Sequence, residues 1–161
     1  MYLIERGLFV NYLTGRDTAP LVGKTSNGTV RAETAARIPI IRMTNINLEP
    51  GTVPAEEIIR DTKRGVFVDT NKSWSIDDLR LNFQFSCEVA YEIVDGKLGR
   101  LLKNPIYTGI TPEFWNACDA VGDRASWRVW GLPNCGKGDP MQTMRVAHGA
   151  PVARFRNVEM A

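Results

Sequence analysis

Histidine is the scarcest functional group in this sequence, with His148 the single example among 161 residues. A Ser-His or Cys-His catalytic pair within the chain would have to use that residue, and no G-x-S-x-G segment is present. A lone histidine is more often a hydrogen-bonded structural residue than a catalytic one. We therefore expect no histidine-based catalysis from this chain alone, and we keep His148 as a candidate for contacting a substrate.

Cysteine and long apolar runs are also scarce. Three cysteines form an odd and sparse set, which argues against a disulfide framework. No apolar run reaches the roughly 20 residues that span a bilayer. Glu5 and Arg6 interrupt the only apolar stretch near the N-terminus, so it is not the core of a signal peptide. We expect a cytoplasmic protein without membrane contact.

Charge gives little indication of a partner. The net charge is +2 and the basic residues are scattered, so the sequence does not predict a nucleic-acid surface. Gly23–Thr25 reads "GKT" like the end of a phosphate-binding loop, but Thr18 stands where that motif needs glycine. The adjacent pairs Glu56-Glu57 and Asp77-Asp78 point apart on a helix or strand, which favours solvated charge over paired catalytic carboxylates.

The clearest local pattern is a hairpin. Asn82–Val94 alternates apolar and polar residues over its whole length, which predicts a half-buried strand. Asp95-Gly96 follows at once and suits a tight turn into a second strand over Lys97–Lys103. Arg6-Gly7 marks a weaker hairpin of the same kind at the N-terminus.

Helical patterns are few and short. Pro54–Gly65 and Thr111–Gly122 each have an early proline and a terminal glycine, which predicts two helices. Met141–Ala161 predicts two strands that are broken at Gly149–Pro151. The pattern as a whole indicates an α+β fold, mainly antiparallel, with two short helices in a single domain over residues 1–161.

Residues 14–55 show little periodicity. An irregular stretch of this length is uncommon inside a compact domain unless it is functional or packs on something else. We therefore expect this stretch to pack on something else and the chain not to be complete by itself.

The three cysteines occupy different environments in these patterns. Cys87 falls on the inward face of the alternating strand and Cys118 on the apolar face of the second helix, where both act as small hydrophobic residues. Cys135 lies in the glycine-rich stretch Asn134–Gly138 beside Lys137. Exposed backbone amides and a neighbouring cation are typical of reactive thiols. From the residues alone, Cys135 can be a nucleophile, a metal ligand or an inert loop cysteine.

Four segments in order resemble the C-terminal portion of the TldD/PmbA family, specifically the TldD type. They are "IPIIRMTNINLEPG" (Ile38–Gly51), the long hairpin stretch Gly65–Gly109, "NCGKGDPMQ" (Asn134–Gln142) and "VAHGAPVARFRNVEM" (Val146–Met160). The third segment resembles the Cys-Gly-Lys loop of the family.

The resemblance implies a cytoplasmic zinc metalloprotease, or a close non-catalytic partner of one, that acts on peptides or unfolded proteins. It implies that zinc is held by an H-E-x-x-x-H helix together with the loop cysteine, which is Cys135 here. Two imidazoles and one thiolate leave a fourth tetrahedral position for water. The resemblance also makes Arg42, Thr44 and Asn45 candidates for lining a substrate groove.

The chain departs from the family pattern because it has no H-E-x-x-x-H motif. Two expected zinc ligands and the general base are therefore absent, and we expect no zinc site within this chain. We predict the C-terminal, zinc-ligand-bearing part of a TldD-type metallopeptidase, inactive alone. Its partner would be a missing N-terminal half or a TldD/PmbA-type subunit in an oligomer. The alternative is a non-catalytic assembly or peptide-binding module of the same family.

Overall fold

The computed structural model describes residues 1–161. It consists mainly of antiparallel β-strands with two short α-helices, which confirms the predicted α+β class. The strands are β1 (Ile4–Glu5), β2 (Leu8–Phe9), β3 (Val30–Arg31), β4 (Ile40–Ile41), β5 (Arg64–Ile76), β6 (Asn82–Val94), β7 (Lys97–Leu102), β8 (Ile106–Ile110), β9 (Cys118–Val121), β10 (Arg128–Lys137), β11 (Gln142–Ala150), β12 (Ala153–Phe155) and β13 (Glu159–Met160). The helices are α1 (Ala55–Arg60) and α2 (Thr111–Asn116), with short 3₁₀ turns at Ala19–Val22 and Arg124–Ser126. Neither helix has the length or the apolar run that a bilayer crossing requires.

The chain forms two compact units, each assembled from two separated stretches. The first unit contains residues 1–49 and 128–150, and the second contains residues 50–127 and 151–161. The prediction of one domain over residues 1–161 is not decided by this division, because neither unit is a continuous piece of sequence.

The second unit is built on the predicted hairpin. Strand β6 has the predicted bounds and pairs with β5 along one edge and with β7 and β8 along the other. Its alternation buries Cys87 and Ile93 on one face, as predicted. Ala90, on the opposite face, is also fully buried, so both faces of the sheet are covered at this end. The long strand β5 was not predicted, because its alternation is weak and its second half is exposed.

An aromatic cluster packs beside β6 and β8. The rings of Phe85 and Tyr107 stack at 5.6 Å, and those of Phe114 and Phe155 stack at 4.0 Å. Burial in this cluster raises the pKa of Tyr107 to about 12. Aromatic side chains remove large apolar areas from water, so the cluster is a main source of stability for this unit.

Both predicted helices are shorter than the sequence suggested. Helix α1 ends at Arg60, and residues from Arg64 onward join β5. Helix α2 ends at Asn116, so the prediction that Cys118 lies on its apolar face is wrong. Cys118 begins β9, which pairs with β12. Pairing with a distant strand decides this conformation, and a local helical pattern carries no information about it.

The first unit contains the two-stranded sheet β10–β11 and the short hairpins β1–β2 and β3–β4. Strand β11 ends at Ala150, which confirms the predicted break, but the C-terminal stretch forms a third strand, β13, in addition to the predicted two. Residues 14–49 are largely irregular, as predicted. Hydrogen bonds attach them to β10 and β11 of the same unit. That they also pack on something outside this chain stays a prediction.

Candidate functional site around Cys135

Cys135 lies in strand β10 and not on the predicted loop. The pairing of β10 with β11 is regular from Arg128 to Leu132, shifts, and resumes where Cys135 faces Met144. Pro133 lies within the shift and has no N–H for the ladder, which gives a physical reason for the interruption. Cys135 is half-buried although both its neighbours are exposed. The irregularity therefore separates a short strand tip, Cys135–Lys137, from the rest of β10.

Arg42 is in direct contact with this strand tip. Its Nη2 donates a hydrogen bond of 2.6 Å to the carbonyl oxygen of Cys135. The residue is only 2% exposed, and its Nε is buried without a hydrogen-bond partner. Its own backbone N–H donates to the carbonyl of Thr29. Arg42 and Cys135 are thus the two predicted site residues that the fold brings together.

A second cation joins the strand tip to the segment that contains Arg42, and here the strand tip supplies the donor. Lys137 Nζ donates a hydrogen bond of 2.7 Å to the carbonyl oxygen of Ile41. Gln142, at the start of β11, adds two bonds to the same irregular segment, donating to the carbonyl of Ile38 and accepting from the N–H of Glu33. Sequence reasoning did not identify Gln142, because its partners are more than 100 positions away along the chain.

Asparagine side chains attach the next part of the segment to β11. Asn45 Oδ1 accepts a hydrogen bond of 3.2 Å from the N–H of Ala147, and Asn47 Oδ1 accepts one of 2.7 Å from the N–H of Gly149. The two asparagines stand two positions apart, and both side chains bind the edge of β11 in place of a paired strand. Asn47 was missed, because its partner Gly149 lies 102 positions away along the chain. Thr44 is half-buried on the same segment.

His148 lies in β11 away from Cys135. Its Nδ1 donates to the carbonyl oxygen of Ile46 at 2.8 Å, and its Nε2 is buried without a partner. His148 is four positions beyond Met144, the residue paired with Cys135, which corresponds to roughly 13 Å along an extended strand. The fold therefore does not place the imidazole and the Cys135 thiol in one site.

The chain on its own does not fit a zinc ion. Nowhere in residues 1–161 do three or more His, Cys, Asp or Glu side chains come together in a way that could hold a metal. Zinc sites in proteins use at least three such ligands. Cys87 and Cys118 are not candidates, because burial raises the pKa of both thiols and a deprotonated thiolate is the form that binds metal. Cys135 can supply at most one ligand to a centre completed by other groups.

The fold defines the class of this chain as α+β. Its candidate site is a half-buried thiol on a strand tip that hydrogen bonds of Arg42 and Lys137 hold in place, without a complete metal centre. The whole length of the chain, residues 1–161, matches the family described as PmbA/TldA metallopeptidase C-terminal domain, and the chain belongs to that family. The predicted resemblance to the C-terminal portion of TldD/PmbA proteins is thereby confirmed.

Individual relatives agree with this assignment. A metalloprotease from Methanothermobacter thermautotrophicus is 31% identical over 155 residues, which are 96% of this chain and 33% of that protein. A zinc metalloprotease TldD homolog from Saccharolobus solfataricus is 22% identical, over 98% of this chain and 34% of that protein. The crystal structure of TldE from Thermococcus kodakarensis has the same fold, with a TM-score of 0.76 and 22% identity over 99% of this chain and 33% of that one. The chain thus spans about a third of the length of these relatives.

Proposed function

We propose that this chain is the C-terminal part of a TldD-type metallopeptidase and that Cys135 supplies one thiolate ligand to a zinc ion whose other ligands lie outside residues 1–161. The observation that carries the proposal is the braced strand tip, which holds a half-buried thiol in a fixed place within a chain of this family. The substrates would be peptides or unfolded proteins. We assign no step of hydrolysis to residues of this chain.

The proposal includes the other groups that the complete protein needs. The remaining ligands and the general base would come from an N-terminal half, or from a TldD/PmbA-type partner subunit in an oligomer, in the cytoplasm. Thr44, Asn45 and His148 remain candidates for contacting the peptide. Asn45 Oδ1 and His148 Nδ1 already bond within the unit and His148 Nε2 is buried, so a peptide would have to contact other atoms of these two side chains.

The test supplies the missing half. The chain is produced together with the N-terminal part of a TldD-type relative that carries H-E-x-x-x-H, and zinc content and cleavage of an unfolded peptide are measured. We expect Cys135→Ser to lower zinc affinity by more than the roughly 10–100-fold typical of losing an outer-shell partner, and to abolish cleavage.

Cys118→Ser is the matched control, because the Cys118 thiol lies in the second unit and donates a hydrogen bond to the carbonyl oxygen of Ala120. It should leave zinc content and cleavage unchanged. Normal zinc content and normal cleavage in Cys135→Ser would contradict the proposed ligand role.

A second candidate function is a non-catalytic assembly or peptide-binding module. Strand β10 pairs only with β11, and its residues Val129 and Trp130 are 57% and 47% exposed. An exposed strand edge can bind an extended peptide by strand addition. Peptide binding by the reconstituted complex without zinc and without cleavage would favour this candidate over the first.

A further inference from the structure

Arg42 is a buried cation without an anionic partner. Its side chain is fully buried, yet none of the ion pairs in the chain involves it, and its Nε has no hydrogen-bond acceptor. Arginine is rarely buried unless it is paired, because taking its charge out of water costs several kcal/mol. We therefore expect the hydrogen bond that the Arg42 side chain does make to have a specific role.

The contact that Arg42 makes is the 2.6 Å hydrogen bond from Nη2 to the carbonyl oxygen of Cys135. A hydrogen bond from a charged donor is shorter and roughly twice as strong as one between neutral groups. It falls at the position where the β10–β11 ladder has just been interrupted, so regular strand pairing holds Cys135 from one side only.

We infer that Arg42 is a positioning residue for Cys135: its guanidinium fixes the backbone of the strand tip and thereby the place from which the thiol projects. The inference rests on the proposed function, in which Cys135 is the functional thiol. It replaces direct substrate contact as the role of Arg42, since a side chain that is 2% exposed offers no surface to a peptide.

The geometry also explains why the residue is arginine. The planar guanidinium carries its donors in a rigid fork, so its orientation is fixed by one strong bond and by the packing around it. Lysine would keep a charge and N–H donors on a more flexible stem, and methionine would keep much of the volume without any donor. The series arginine, lysine, methionine therefore separates the hydrogen bond from the packing.

The experiment measures the Cys135 thiol directly, without zinc or peptide. Alkylation by iodoacetamide is followed residue by residue by mass spectrometry between about pH 7 and pH 9, in the wild-type chain and in Arg42→Met, Arg42→Lys and Lys137→Met. We expect Arg42→Met to raise the alkylation rate of Cys135 at least about 10-fold, because losing a charged hydrogen bond favours local opening by that factor or more. The ratio of the variant rate to the wild-type rate should be the same at every pH, because the substitution acts by changing the access of iodoacetamide to the thiol.

The other variants and thiols act as controls. Arg42→Lys should stay within about 3-fold of the wild-type rate, because it retains a donor for the carbonyl. Lys137→Met removes an exposed bond and should have a smaller effect than Arg42→Met. Cys118, in the second unit, should react at the wild-type rate in all variants.

An unchanged Cys135 rate in folded Arg42→Met would overturn the inference, as would a larger effect of Lys137→Met. If Arg42→Met does not fold, hydrogen exchange of Arg42→Gln decides, because this substitution removes the charged hydrogen bond and keeps a polar side chain. Faster exchange confined to Cys135–Lys137 supports the inference, and wild-type exchange there refutes it. The assay is independent of the zinc measurement on Cys135→Ser, so failure of the ligand proposal and failure of this inference are distinguishable.

Discussion

At the scale of single residues, Arg154 in β12 organises the most extensive set of polar contacts in the second unit. Its Nε and Nη2 donate to the two carboxylate oxygens of Asp119 at 2.8 and 3.1 Å, and its Nη1 donates to Asp61 and to the hydroxyl of Thr62 at 3.0 and 3.2 Å. A two-point pairing between guanidinium and carboxylate is the strongest geometry for such an ion pair. The arginine side chain is only 14% exposed, which limits screening by water.

We predict that Asp119→Asn lowers the free energy of unfolding by about 1–2 kcal/mol, because it replaces a charged two-point contact with a weaker neutral one and leaves Arg154 without its main partner. Asp61→Asn is the control. Asp61 is 75% exposed and makes a single bond to Arg154, so its change should stay below about 1 kcal/mol. Urea unfolding at neutral pH measures both, and equal effects would contradict the ranking.

The same pair predicts a pH dependence. The hydrogen bond from Arg154, followed by that from Arg156, lowers the pKa of Asp119 below its ordinary value of 3.8. A carboxylate whose pKa is lower in the folded state stabilises the fold at every pH above its pKa in the unfolded state. This stabilisation is lost as the pH falls through its pKa in the folded state. Urea unfolding measures the difference in the free energy of unfolding between wild type and Asp119→Asn. This difference should be largest at neutral pH and shrink below about pH 4.

At the scale of elements, the turn between β6 and β7 depends on Gly96. Its φ is +75°, and a Cβ at this position would lie 2.4 Å from the carbonyl oxygen of Arg60 at the end of α1. The N–H of Gly96 donates to the carbonyl of Thr62, which holds the turn against the same region. The glycine is therefore required both by its backbone conformation and by the close approach of another element.

We predict that Gly96→Ala lowers the free energy of unfolding by more than about 2 kcal/mol, because the left-handed conformation alone costs about 1–2 kcal/mol and the contact with Arg60 adds to it. Gly7→Ala is the matched control: its φ is +79°, but no atom lies within 4 Å of the place that a Cβ would occupy. It should show only the conformational cost. Denaturant unfolding of both variants tests this, and equal losses would mean that the contact with Arg60 relaxes.

Elements differ in how far their sequences predict them. Strand β6 and its turn follow from alternation and from Asp95-Gly96, because both are local properties of the chain. Strand β9 does not, because its four residues are extended only through pairing with β12. Residues 42–48 form no regular strand, and they are attached to β11 by side-chain bonds that no local pattern contains.

At the scale of the whole molecule, each of the two compact units has its own buried residues, and the chain passes between the units three times. Buried apolar residues occur in both, for example Met144 and Val146 in the first and Cys87 and Ile93 in the second. The chain passes from one unit to the other at residues 49–50, 127–128 and 150–151. Neither unit can therefore be cut out as one continuous segment.

We predict that the two units unfold together, as expected for one domain over residues 1–161. Hydrogen exchange in increasing urea should show that peptides from β11 and from β6 lose protection at the same denaturant concentration. Two separate midpoints would instead identify two independently folding units. The measurement needs no variant, since each strand reports on its own unit.

The sequence alone determined the α+β class, the central hairpin, the family and the choice of Cys135 as the thiol of interest, because these depend on local alternation, turn residues and ordered motifs. Only the tertiary structure decided that Cys135 lies on a strand tip, that Arg42 is buried against its carbonyl, and that His148 is roughly 13 Å further along the neighbouring strand. The reason is physical: these relations join residues far apart along the chain, 93 positions for Arg42 and Cys135, through pairing and burial. A one-dimensional pattern carries no information about which distant groups will meet.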